Sequence, residues 1–210
     1  MIFEVLPVGP LAANCFVIGC EETKEGIVVD PGAEVEKILA AVRRHGLAVK
    51  KVINTHGHFD HVGGNGELLA VTGATLHIHE NDVRLLSRAA ETAAMYGISG
   101  TNSPLPDGHL EDGMEISFGT CTLRVLHTPG HTPGGCCLHF AAQGIVITGD
   151  TLFADSVGRT DLPGGSHATL IASIQQKLLV LPDATTVYPG HGPSSTVGRE
   201  KRHNPYLGGR

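Results

Sequence analysis

The stretch Lys51-Val52-Ile53-Asn54-Thr55-His56-Gly57-His58-Phe59-Asp60-His61 sets three histidines and an aspartate within six positions, in the pattern H-x-H-x-D-H. The apolar run into it reads as a buried strand, and Gly63-Gly64 just beyond marks a sharp turn. A loop at a strand end can aim all four side chains at one point. Imidazole and carboxylate donors suit zinc, iron or manganese. A single histidine in a turn is ordinarily a surface residue. Four such groups at this density, straight after a strand, predict a metal site.

Working outward, 210 residues with 41% hydrophobic content provide a sizeable core, and residues 1–210 are expected to form one domain. The 28 glycines and 12 prolines predict many tight turns. A formal charge of −6 without a Lys/Arg run excludes the basic footprint of a nucleic-acid or anionic-membrane partner. Cys15, Cys20, Cys121, Cys136 and Cys137 are odd in number and lack C-x-x-C spacing, so buried free thiols in a reducing compartment are expected. The N-terminus lacks the charged and apolar regions of a signal peptide, and no apolar run reaches the ~20 residues that span a bilayer. A cytoplasmic location is the expectation.

Short β-branched runs at Ile2–Pro7, Asn14–Gly19 and Gly26–Val29 predict an antiparallel meander. Asp30-Pro31-Gly32 is a turn. Val35, Ile38, Leu39 and Val42 share one face of a helix over Glu34–His45, stopped by Gly46. A short helix at Gly66–Val71 and a strand at Thr75–His79 follow. Asn81–Tyr96 is helical in composition. Gly97–Gly113 reads as a loop, either a substrate-facing segment or a surface insertion. Four strands then come in succession: Met114–Phe118, Thr122–His127, Cys136–Phe140 and Ile145–Thr148. Ser166 caps a helix burying Leu170, Ile171, Ile174 and Leu178. Thr185–Tyr188 is a last strand, and Val197–His203 a terminal helix. Strands and helices thus come in two rounds, as two sheets flanked by helices require.

Three later segments share one design, a polar residue in a glycine-rich turn after a strand. They are Thr128-Pro129-Gly130-His131, Thr148-Gly149-Asp150-Thr151 and Tyr188-Pro189-Gly190-His191-Gly192. Glycine permits close backbone approach and proline fixes φ, which together hold a side chain rigidly.

With the H-x-H-x-D-H cluster and these three segments in order, the sequence resembles the metallo-β-lactamase superfamily, and within it single-domain proteins similar to glyoxalase II. The match runs from Asp30-Pro31-Gly32 to Gly190-His191-Gly192. The resemblance implies an α/β (α+β) fold, an αββα sandwich of two mixed sheets flanked by helices, with the site at one edge of the sheets. Carried over by position, it gives His56, His58 and His131 to one divalent metal, and Asp60, His61 and His191 to a second. Asp150 bridges the two, and Asp60 and Asp150 are the carboxylates expected to act in catalysis. Zinc is the expected metal, with iron or manganese as alternatives. Seven ligands exceed the four of a closed tetrahedral site, as a binuclear catalytic centre would. Asp30 matches no ligand position and reads as a turn residue or the partner of a ligand.

An aspartate at Asp150, where typical metallo-β-lactamases place cysteine or histidine, disfavours β-lactam hydrolysis. The resemblance implies hydrolysis of S-acyl-glutathione thioesters such as S-lactoylglutathione, by attack of a metal-bridging hydroxide. A thiolate of pKa about 8.5 leaves without a dedicated acid, and none is evident. The longer glyoxalase II enzymes carry a C-terminal helical region that grips glutathione. The sequence here stops at Arg210 and most of that region is missing, so the resemblance supports thioester hydrolysis more strongly than glutathione specificity. Arg159, in Gly158-Arg159-Thr160-Asp161, is a candidate for a substrate carboxylate, although internal pairing with Asp161 is favoured. The alternative is a mononuclear iron persulfide dioxygenase, whose members share a similar Gly-Arg-Thr-Asp stretch. The expected partner is a small-molecule thioester, and the expected assembly a monomer or homodimer.

Overall fold

The computed structural model describes residues 1–208. The opening runs pair as a meander: β1 (Ile2–Val8) with β2 (Ala13–Gly19), and β2 with β3 (Glu25–Val29), both antiparallel. Helix α1 (Val35–His45) then returns the chain, burying Val35, Ile38, Leu39 and Val42 and ending at Gly46 in the left-handed conformation. This crossover makes β4 (Ala48–Ile53) parallel to β3. The short helices α2 (Phe59–Val62) and α3 (Asn65–Thr72) lead to β5 (Thr75–His79), again parallel.

Two expectations change in the next segment. The helix anticipated over Asn81–Tyr96 is split into a 3-10 turn at Glu80–Asp82, α4 (Val83–Leu86) and α5 (Ala89–Met95). The Ser87 hydroxyl donates to the Arg84 carbonyl, and the Arg88 N–H closes a tight bond to Leu85 instead of continuing the ladder. The loop Gly97–Gly113 contains a strand, β6 (Gly108–Leu110), which pairs in parallel with β5 and completes a six-stranded sheet in the order β1-β2-β3-β4-β5-β6. Three residues offer too little periodicity to read.

The second sheet has the order β14-β13-β10-β9-β8-β7. Its members are β7 (Glu115–Phe118), β8 (Cys121–His127), β9 (Cys136–Phe140), β10 (Ile145–Gly149), β13 (Thr186–Pro189) and β14 (Ser195–Thr196). A small hairpin, β11 (Leu152–Phe153) with β12 (Ser156–Val157), follows β10. These two-residue strands and β14 escape sequence reading, so Thr186–Pro189 is not the last strand. Ser166 caps α6 (His167–Ser173) by accepting from the Thr169 N–H, and the helix runs on into a π-turn at Ile174–Leu178. Leu170, Ile174 and Leu178 are buried there and Ile171 only partly. Helix α7 (Val197–His203) has Thr196 as its cap.

The chain divides into two compact units, Met1–Leu110 with Ser117–Thr122, and Glu111–Ile116 with the residues from Leu123 onward. The first has a core around Val17, Val28, Ile38, Val52, Leu76 and Ile78. The second has one around Val146, Leu170, Ile174, Leu178, Val187 and Val197. All five cysteines are free and buried. Among the described residues no helix is long and apolar enough to cross a membrane.

Candidate metal centre

Parallel pairing places the candidate ligands. In the first unit Val29 of β3 lies opposite Ile53 of β4, so the turns after both strands emerge side by side. Asp30 therefore meets the His56–His61 loop. In the second unit Gly149 of β10 lies opposite Pro189 of β13, and the Gly190 N–H donates to the Gly149 carbonyl. Asp150 and His191 thus project from neighbouring carboxyl ends, where open α/β sheets bind their ligands.

Glycines let these turns close. A Cβ on Gly32 would stand 1.6 Å from the Asp60 carbonyl oxygen, so the Asp30 turn and the histidine loop touch backbone to backbone. A Cβ on Gly158 would stand 1.9 Å from the Asp150 carbonyl oxygen.

In the first unit a chain of hydrogen bonds sets the tautomers. The fully buried Asp30 accepts from the Thr55 N–H at 2.7 Å, the Thr55 hydroxyl at 2.6 Å and His61 Nδ1 at 3.1 Å. A carboxylate only accepts, so His61 carries its proton on Nδ1 and offers the Nε2 lone pair. The Thr55 hydroxyl has given its single proton to Asp30. Its oxygen, 3.1 Å from His56 Nδ1, must accept, which leaves His56 Nε2 unprotonated too. His56 Nε2 lies 3.1 Å from His58 Nδ1, and Asp60 Oδ2 lies 3.7 Å from His61 Nε2. Two donors of one tetrahedral ion with ~2.1 Å bonds stand about 3.4 Å apart, so both pairs have ligand spacing. The buried Asp82 accepts from the Gly57 N–H at 3.0 Å, and the Asn54 amide donates to the His61 carbonyl at 3.1 Å, pinning the loop from both sides.

Asp30, His56 and His61 also present donor atoms within 4.8 Å of one another. The Asp30 oxygens, however, face Thr55 and the outer nitrogen of His61. Asp30 therefore orients the His61 ring and the Thr55 hydroxyl through its accepted hydrogen bonds.

In the second unit His131 Nδ1 bonds the Arg159 carbonyl at 2.8 Å. A carbonyl accepts, so again Nε2 holds the lone pair. Asp150 Oδ2 stands 3.5 Å from His131 Nε2 and 3.8 Å from His191 Nε2. One carboxylate oxygen thus stands between two imidazoles. Arg159 turns its side chain elsewhere: its guanidinium grips Asp161 through two 2.8 Å bonds, which hold the Asp161 carboxyl down at about 2. The main chain of Arg159, held close by Gly158, serves the site.

Sequence reading missed Thr55, Asp82 and the Arg159 carbonyl. Thr55 stands inside the decisive stretch, but its role needs the Asp30 contact. Asp82 lies 25 residues from Gly57, and no sequence signal joins them.

Residues 8–191 match the Metallo-beta-lactamase superfamily. A Haemophilus influenzae protein named hydroxyacylglutathione hydrolase GloC is 36% identical over 99% of this chain and 98% of its own. The crystal structure of the BLEG-1 B3 metallo-beta-lactamase superposes with a TM-score of 0.92 at 35% identity, covering 99% of this chain and 100% of that one. TTHA1623 in a di-iron-bound form superposes with a TM-score of 0.90 at 40% identity, over 97% and 100%. The chain belongs to the metallo-β-lactamase superfamily and has its fold, with two mixed sheets flanked by helices.

Proposed function

We propose that residues 1–210 act as one binuclear metallohydrolase domain that cleaves thioesters of the S-acyl-glutathione type. His56, His58 and His131 would hold one divalent metal, Asp60, His61 and His191 the second, and Asp150 would bridge them. The observation that carries the reading is the spacing of the donors. His56 pairs with His58 and Asp60 with His61, while Asp150 stands between His131 and His191. The tautomers fit: His56, His61 and His131 each spend Nδ1 on an oxygen and keep Nε2 for a cation. Zinc suits this nitrogen-and-carboxylate set, and iron is the competing metal, since TTHA1623 holds two irons.

Bound ions would supply a hydroxide at neutral pH and polarise the acyl carbonyl. The protein's own part is to position and exclude. Asp30, Thr55 and Asp82 fix the loop so that its donors need no rearrangement, and the buried faces of His56 and His61 keep water from the far side. A thiolate leaving group needs no proton donor near neutral pH. The GloC relative supports a thioester over a β-lactam, as does the aspartate at position 150.

The test is thiol release from S-lactoylglutathione by zinc-loaded protein, with benzylpenicillin in parallel. Turnover of the thioester that His58→Ala abolishes is expected. No turnover, or equal rates from the variant, overturns the reading, and turnover of benzylpenicillin alone makes the protein a β-lactamase. The persulfide dioxygenase alternative predicts one iron per chain and oxygen uptake on glutathione persulfide.

A further inference from the structure

The first unit contains a cavity of about 330 Å³, within the size range of small-ligand sites. Asp60 stands in its wall, so the cavity adjoins the donor cluster. Its apolar lining comes from Val8, Leu11, Phe59 and Ile98, which belong to β1, the β1–β2 turn, the start of α2 and the segment after α5. Their walls are tied in place. The Thr101 hydroxyl donates to the Gly63 carbonyl at 2.9 Å, and the Gly9 N–H to Glu34 Oε2 at 2.8 Å. The Ile98 N–H reaches the Ala93 carbonyl at 3.0 Å. The cavity therefore exists before any ligand arrives.

Its charge is one-sided. Glu34 and Glu67, both exposed, line it; Lys37 pairs with Glu34 at 3.8 Å from outside the lining, and among the described residues no lysine or arginine lines the cavity. The carboxylates of a glutathione-like thiol would meet like charge there. Of the two halves of a thioester, only an uncharged, apolar acyl group matches the lining. The acyl carbon chain starts at the reacting carbonyl, which places it beside Asp60 whenever that carbonyl is at the centre.

We infer that this cavity is the acyl subsite, taking short uncharged apolar acyl groups and rejecting those that end in a carboxylate. The inference rests on thioester hydrolysis at the adjoining centre. It assigns Ile98 and Glu67 as specificity-determining residues, and it makes residues 98–101 substrate-facing.

The test uses acetyl, butyryl, hexanoyl and succinyl thioesters of one neutral thiol, N-acetylcysteamine. Ile98→Trp, which fills the cavity, should lower the hexanoyl-to-acetyl ratio of kcat/KM roughly tenfold or more, the scale at which a pocket senses lost methylene room. Glu67→Lys, a surface change that keeps the fold, should raise the succinyl-to-butyryl ratio roughly threefold. Val71→Trp, at an exposed position of α3 outside the cavity, should leave both ratios unchanged. Binding is read separately with hexanamide, an uncharged probe that the centre does not cleave as a thioester. It should shift the Leu11 and Ile98 methyl resonances in the wild type and lose affinity in Ile98→Trp. Hexanamide binding without any thioester turnover would sink the hydrolase reading and leave the cavity as an apolar binding site. Absent methyl shifts, a hexanoyl-to-acetyl ratio that Ile98→Trp leaves unmoved, or a succinyl-to-butyryl ratio that Glu67→Lys leaves unmoved would overturn the subsite.

Discussion

Replacing Asp30 with asparagine changes one oxygen for an amide nitrogen at almost constant volume, yet it should invert the proton order of the whole ligand loop. Asp30 Oδ1 accepts the Thr55 N–H, a bond that the asparagine oxygen can keep. Oδ2 accepts from both the Thr55 hydroxyl and His61 Nδ1, and the new amide nitrogen in its place can only donate. The Thr55 hydroxyl would then turn and offer its proton to His56 Nδ1. Both imidazoles would be driven to carry the proton on Nε2, the atom needed for the cation. Binding a metal must reverse this and leave two mispaired contacts in a site where Asp30 and His61 have no solvent exposure. At roughly 1–2 kcal/mol for each, the cost is about 2–4 kcal/mol, or roughly 30- to 1000-fold in metal affinity. Each metal-free histidine can change tautomer, so the melting temperature of metal-free protein should move far less than that of the loaded form. The assay is zinc affinity by chelator competition, with ring-nitrogen NMR reporting which nitrogen of His56 and His61 is protonated. Affinity within threefold of wild type, with the protons still on Nδ1, would refute the chain from Asp30 through Thr55 to His56.

Gly158→Ala should lose metal binding and stability together, because its Cβ would fall 1.9 Å from the Asp150 carbonyl oxygen, and calorimetry with metal analysis reads both. Arg159→Ala, by contrast, should keep its metal, since the site uses the main-chain carbonyl while the guanidinium holds Asp161, and an unchanged zinc content checks this. Burial lowers the pKa of His77, with Lys51 adding to it, and burial lowers that of His139, with Arg124 adding to it. A histidine whose folded pKa is depressed stabilises the fold fully above its unfolded value of about 6.5 and loses that contribution as pH falls through the folded pKa. Melting temperatures should therefore drop below pH 6.5, and His139→Gln should flatten the drop. Ser166→Ala removes the α6 cap, so chemical denaturation should show a loss of about 1 kcal/mol.

Much of this protein could be read along the chain because its signals are local. The face of α1 is written at helical spacing, and the strands β1–β5 and β7–β10 are written in short apolar or β-branched runs between turn residues. The ligand types stand out for a similar reason, as each follows a strand in a glycine-bounded turn. Where the energetics are not local, reading stopped. The three-residue β6 exists only through pairing with the distant β5, and the two-residue β11, β12 and β14 are too short to carry a periodic signal. The break at Ser87-Arg88 lies in a stretch whose composition favours helix throughout.

The site divides the same way. The pattern H-x-H-x-D-H, with His131, Asp150 and His191 after it, determines which atoms are available to a cation, since donor chemistry belongs to residue type. Which nitrogen of each histidine carries its proton is a matter of contact. Asp30 reaches Thr55 and His61 only because β3 and β4 run parallel and end together, and the Arg159 carbonyl reaches His131 only because Gly158 lets the backbone close on Asp150. A hydrogen bond needs its partner within about 3 Å, and only tertiary structure brings residues 25 to 31 positions apart to that distance.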